Sequence, residues 1–231
     1  MSAIITEKFR KHNATQFYES FTESSANVYY LMIEKSTPFT TATSGGTDVS
    51  PATPADDITT EFYTWDQATA LKNISSGDVS FAVPRRDWAN GTTYDMYESN
   101  ISTSNVTTSG ASSIYESTFF FRTTDNRVYK VIDNNSGAAY SGAEPTSEST
   151  SLFTLGGYTL KYMYTISTSD FTKFMTADFM PVTTDSTVSA ASTDGEIISL
   201  VVTGGSGYTN GTYYAAVYGD GTSQGTSSGA I

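Results

Sequence analysis

The sequence predicts a mainly β fold, an antiparallel β-sandwich with a few short helices in its loops and at the N-terminus. Three observations carry that expectation. Tyr (16) and Phe (13) supply large buried rings in a chain whose hydrophobic fraction, 38%, is below the roughly 45–50% of an ordinary globular domain. Thr, Ser and Gly dominate the remainder, which suits pleated surfaces and tight connections, whereas Leu, Lys and Glu are scarce. Finally, Leu160, Tyr162, Tyr164 and Ile166 alternate with Lys161, Met163 and Thr165, the period of a half-buried strand.

In chain order, residues 4–21 read as a helix, with Ile5, Phe9, Phe17 and Phe21 on one broad face and Glu7, Lys8, Lys11 and Glu19 outward. Val28–Ile33 is an apolar run expected as a buried strand. Residues 36–57, with Pro38, Pro51, Pro54 and a Gly-Gly pair, form a long loop. Thr64-Trp65-Asp66-Gln67 has the form of a capping box opening a helix to about Asn73. Ser76-Gly77 turns the chain into a strand over Val79–Val83. Residues 99–113 are a polar excursion. Thr118–Arg122 and Arg127–Asp133 flank Thr123–Asn126 as a hairpin. Asn134–Thr150 is a further polar loop. After the strand ending at Ile166, Ser167–Asp170 caps a short helix with Phe171, Phe174 and Met175 inward, and Pro181 ends any helix there. Thr183–Thr193 is a third Ser/Thr/Ala-rich stretch.

Beyond it the character changes. Ile197–Val202 and Thr212–Tyr218 read as strands around a Gly-rich turn. The expected organisation is therefore a domain over 1–190 with long Ser/Thr-rich loops and a small Gly-rich β module over 191–231. Two strands alone are marginal, so this module is expected to be incomplete or to close on a partner.

The charge balance, 12 Lys plus Arg against 24 Asp plus Glu, disfavours nucleic acid and anionic membranes as partners. The absence of Cys excludes disulfides and thiolate chemistry, and His12 stands alone, against His-dependent catalysis or a metal site. No run approaches the roughly 18 apolar residues of a membrane span. The start lacks the pattern of a signal peptide, so synthesis in a cytoplasm is expected.

The Asn-X-Ser/Thr triplets at Asn13, Asn73, Asn90, Asn100, Asn105, Asn134 and Asn210 are what so much Ser and Thr supplies by chance, and glycosylation is not expected. Asp87, Asp95, Glu98, Asp125 and Asp133 offer carboxylates for glycoside hydrolysis, but nothing in the sequence pairs them. Gly219-Asp220-Gly221-Thr222 lacks calcium-loop spacing and reads as a turn. No catalytic, cofactor-binding or metal-binding residue is assigned. The chain is not expected to be an enzyme or to need a cofactor.

Pro84-Arg85-Arg86-Asp87-Trp88 concentrates two of the few cations, a carboxylate and one of two Trp residues. The plainer reading is an internal ion pair and a core Trp. The other is an interface, where Arg and Trp are enriched; both can hold.

Val83-Pro84-Arg85-Arg86-Asp87-Trp88, then Arg127-Val128-Tyr129-Lys130-Val131-Ile132-Asp133-Asn134-Asn135, then Gly157-Tyr158-Thr159-Leu160-Lys161-Tyr162-Met163-Tyr164, resemble in that order the baseplate wedge subunits of T-even-like contractile-tail bacteriophages, in their cyanophage and marine forms. Ala3–Arg10 and Gln16-Phe17-Tyr18 fit the same family's opening helix. The resemblance covers roughly residues 3–185. It implies a β-sandwich virion protein, a homodimer within each wedge, that contacts other baseplate wedge proteins and carries no catalytic residues. The alternative expectation is a carbohydrate- or receptor-binding tail protein, with Tyr208, Tyr213 and Tyr214 stacking on sugars.

Overall fold

The computed structural model describes residues 7–23, 27–33, 65, 68–193, 206, 207, 209, 211 and 212. It is mainly β, with antiparallel sheets and a few short helices, as the composition predicts. The chain divides into two compact units, 1–80 and 81–231.

In the first unit, α1 (Glu7–Glu19) precedes β1 (Tyr29–Ile33) and β2 (Ala70–Ile74). The two strands pair antiparallel, from Tyr29 opposite Ile74 to Ile33 opposite Ala70. The C-terminal end of α1 docks through rings: Phe17 and Phe21 lie 5.2 Å apart, and both pack on Tyr29. The broad buried face expected of this helix does not form; Phe9 and Phe17 stay more than half exposed. The positions one turn beyond Phe9 are His12 and Asn13, so the apolar stripe is interrupted. The strand expected at Val28–Ile33 exists but is not buried: Tyr30, Leu31 and Ile33 are each more than half exposed. Among the described residues its sheet has only two strands. Ala70–Asn73, expected to finish a helix, is strand instead. Pairing with β1 outweighs a local helix signal too short to stand alone. The turn at Ser76–Asp78 is as expected, and the Asp78 carboxylate accepts from Lys72 Nζ (2.6 Å) and Ser75 N (3.1 Å).

The second unit contains β3 (Phe81–Pro84), β4 (Phe120–Arg122), β5 (Arg127–Asp133), β6 (Phe153–Leu155), β7 (Tyr158–Thr165), α2 (Thr168–Phe174), β8 (Phe179–Val182) and α3 (Ser186–Ala190). One antiparallel sheet has the order β4-β5-β7-β6, and β3 pairs antiparallel with β8. The hairpin turn at Thr123–Asn126 forms where expected, with Asn126 in the left-handed region (φ 63°). Strand β7 buries Tyr158, Leu160, Tyr162 and Tyr164 in alternation.

A register shift divides that row. Val128 pairs with Tyr164 but Tyr129 pairs with Tyr162, so Met163 is an extra residue on β7. Tyr162 thereby joins a core of Tyr94, Phe121, Tyr129, Val131, Tyr140, Tyr158, Leu160 and Val188, while Tyr164 joins Val128, Ile166 and Met180.

Helix α2 is capped as its sequence predicts, Asp170 N donating to Ser167 Oγ (3.0 Å). Of its expected inner face, Met175 packs against the core, Phe174 is half-buried and Phe171 is exposed. Three features are not foreseen in the sequence. Pro181 lies inside β8 rather than merely ending a helix; among the described residues its sheet has two strands, so a position on the outer edge needs no backbone donor, and its carbonyl accepts from the Tyr164 hydroxyl (3.2 Å). The Ser/Thr/Ala-rich stretch holds α3, whose Asp185 cap accepts from Thr187 N (2.8 Å) and Val188 N (3.0 Å). The loop from Asn134 to Thr150 carries fully buried Tyr140 and Pro145.

No described helix is long and apolar enough to cross a membrane. The loop at 36–57, the strand at 197–202, residues 213–218 of the next strand, Gly219–Thr222, Tyr208, Tyr213 and Tyr214 lie outside the described residues, as does most of the 191–231 module.

Candidate functional site

Pro84 is the last residue of β3, and beyond it the chain runs beside the end of β4. Arg122 N donates to Arg86 O (2.7 Å) and Trp88 N donates to Arg122 O (2.8 Å), a short parallel bridge. Arg85 N donates to Asp178 O (2.8 Å), tying the other side to the start of β8.

This backbone path sets the Asp87 carboxylate between two guanidinium groups. Arg85 donates from Nε (3.0 Å) and Nη2 (2.7 Å) to Oδ2, and Arg122 from Nε (2.9 Å) and Nη2 (2.6 Å) to Oδ1. The remaining Arg122 arm, Nη1, donates to Asn126 Oδ1 (2.6 Å) in the hairpin turn. Partial burial raises the Asp87 pKa, but the hydrogen bonds from Arg85 and Arg122 outweigh it and hold the carboxyl below its ordinary value. The Arg122 side chain is only 10% exposed, whereas that of Asp87 is 46% exposed.

Arg86 faces elsewhere. Its Nη2 donates to Tyr115 O (3.0 Å) and Glu116 O (2.8 Å), and its guanidinium lies 5.5 Å from the Phe120 ring centre. Trp88 stands edge-on to Tyr140, 5.8 Å between rings, and packs against the larger core. Arg86 Nε and Trp88 Nε1 are buried with no hydrogen-bond partner among the described residues.

The structure thus brings Arg85 and Asp87 of the motif together and adds Arg122 and Asn126, while Arg86 turns to Tyr115, Glu116 and Phe120 and Trp88 turns into the core. The hairpin that carries these two was legible, but its parallel crossing with residue 87 has no local signal. The carboxylates considered for catalysis are each engaged internally. Asp95 is fully buried and accepts from Ser109 N (2.7 Å), Ser109 Oγ (2.7 Å), Ser117 Oγ (3.1 Å) and Thr118 N (2.8 Å). Glu98 accepts from Asn105 Nδ2 (2.8 Å), Asp125 from Arg127 (2.7 Å) and Asp133 from Asn135 N (2.7 Å). The Asn134 amide, one of the glycosylation triplets, is buried and donates to Tyr94 O (3.0 Å) and Thr108 Oγ1 (3.2 Å).

Asp87→Ala is expected to cost about 2 kcal/mol. Removing one partner of a fully buried pair costs about 3–5 kcal/mol, and solvent at the half-exposed Asp87 reduces this. Adding Arg122→Met should recover part of the loss, because the nearly buried guanidinium then no longer lacks a counter-charge. Urea unfolding of the single and double variants measures both effects.

No curated protein matches the chain. The family model of bacteriophage T4 Gp8 matches residues 3–143. That span contains Pro84–Trp88, Arg122, Asn126 and Arg127–Asn135, and stops short of Gly157–Tyr164. It is more than half of the chain, so the protein belongs to the bacteriophage T4 Gp8 family, the baseplate wedge subunits of T4-like phages.

Proposed function

We propose that this structural component of the virion baseplate connects neighbouring wedge proteins, as a homodimer within each wedge, and supports baseplate assembly and rearrangement. The family match over residues 3–143 carries the reading. The apolar surface of the 1–80 unit supports it: Tyr30, Leu31, Ile33 and Leu71 on the two-stranded sheet are each more than half exposed. Such a concentration on one small sheet suits contact with another protein. In the Pro84–Trp88 motif, the half-exposed Asp87 and its Arg85 partner are the part a neighbour can reach, while Trp88 braces the core behind them. A sandwich packing of the sheets over 1–190, a separate module at 191–231, and synthesis in the host cytoplasm complete the proposal, which involves no catalytic step.

Light scattering on the purified chain should give the mass of a dimer, and co-expression with other baseplate proteins of the same phage should yield a co-eluting complex. A strict monomer that co-elutes with none of them would overturn the reading.

A further inference from the structure

Residues directly opposite one another on neighbouring strands project from the same face of a sheet. In the four-stranded sheet, Phe120 is opposite Lys130 and Lys130 is opposite Lys161, so one row across β4, β5 and β7 sets two lysines side by side. Lys130 Nζ lies 3.2 Å from the centre of the Tyr97 ring, and Lys161 Nζ donates to Thr150 O (2.8 Å). Tyr97 packs on Phe119, and Phe119 on Phe120, 5.1 Å between rings in each case.

Among the described residues, Lys72, Arg85, Arg122 and Arg127 each hold a carboxylate within 2.7 Å. Among the same residues Lys130 and Lys161 make no such ion pair. Acidic residues outnumber cations 24 to 12, so a shortage of carboxylates does not explain it. Two like charges directly opposite each other destabilise a sheet, and burial together with Lys161 pushes the Lys130 ammonium below its ordinary pKa. The arrangement costs the isolated chain stability. Both lysines are half-buried and Tyr97 is exposed, so the pair lies within reach of a partner.

We propose that Lys130 and Lys161 receive a carboxylate-bearing segment of a neighbouring protein, with the Tyr97 ring beside the bound acid. This rests on the wedge reading and deepens it by naming one surface and the chemistry of its partner. A nucleic acid is disfavoured by the formal charge of −12.

The test is association of the full chain with co-expressed baseplate proteins of the same phage, measured against salt, for wild type, Lys130→Met, Lys161→Met and the control Lys11→Met, at an exposed position of α1. Each of the first two should weaken association about tenfold, the loss of one charge-assisted contact, and flatten its salt dependence. Their melting temperatures should hold or rise, because the like-charge opposition is gone; Lys11→Met should change neither quantity. Undiminished association of the Lys130 and Lys161 variants overturns the inference while leaving the wedge reading intact. So does weakening that appears only together with a lowered melting temperature, or lysine-dependent binding of a single-stranded oligonucleotide. If the wild-type chain associates with no baseplate protein, the wedge reading fails and this inference falls with it.

Discussion

Asp95→Ala is expected to destabilise the fold by about 4 kcal/mol, in the range reserved for buried polar networks that lose their centre. The carboxylate is fully buried and collects two backbone amides and two hydroxyls from Ser109, Ser117 and Thr118. Its own amide donates back to Thr118 Oγ1 (3.0 Å). Removing it leaves buried donors with nothing to bond, and the hydroxyls can reorient more readily than the amides.

Asp95→Asn should cost less at neutral pH, since its carbonyl oxygen keeps part of the set, and it should remove an acid sensitivity. Burial raises the Asp95 pKa, but the hydrogen bonds from Thr118 and Ser109 outweigh this and hold it below the ordinary value. A depressed folded-state pKa gives stability that is fully present above the unfolded value of about 4 and is lost as pH falls through the folded one. The wild-type urea midpoint should therefore drop more between pH 7 and pH 3 than that of the Asn variant. Equal drops would mean that Asp95 is not a source of the acid loss.

Legibility followed the range of the interaction. The alternation over Leu160–Ile166, the turn at Thr123–Asn126 and the Ser167 cap are set by residues within a few positions of each other, and all three are present. Strand β8 was hidden because Pro181 reads as a breaker until a partner strand, β3, is known to lie beside it. Residues 70–73 carried a helix pattern that pairing with β1 overrode. The Met163 register shift, which sends Tyr162 and Tyr164 into different cores, leaves no mark on the alternation itself.

At the candidate site the same division holds. The Arg85–Asp87 pair is two residues apart and was foreseeable, whereas Arg122 reaches Asp87 across 35 positions. The engagement of Asp95 likewise depends on the 99–113 segment folding back over it, in a stretch whose composition says only that it is polar.

Tyr140 is the strongest case of a core residue placed in a loop, and Tyr140→Ala is expected to cost about 3–5 kcal/mol, as truncation of a fully buried aromatic does. The ring meets Trp88, Phe121 and Tyr158 at 5.8, 6.4 and 5.3 Å. Burial pushes its phenol up to about 12, so it stays protonated in ordinary buffers and donates to Ala143 O (2.9 Å). Tyr140→Phe, which removes that bond alone, should cost about 1 kcal/mol.

Gly156 supplies an independent check on the packing. Its φ is +62°, and a Cβ there would lie 2.6 Å from two carbons of the Tyr140 ring. Gly156→Ala in the wild type must therefore carry both the left-handed penalty of about 1–2 kcal/mol and a steric overlap with the ring. With Ala at 140 the overlap disappears and only the backbone penalty remains. Urea unfolding of the four proteins in this double-mutant cycle should show a smaller cost of Gly156→Ala beside Ala at 140 than beside Tyr. An equal cost in both backgrounds would rule out the close approach of Gly156 to the ring, and with it the reason that a glycine is needed there beyond its φ.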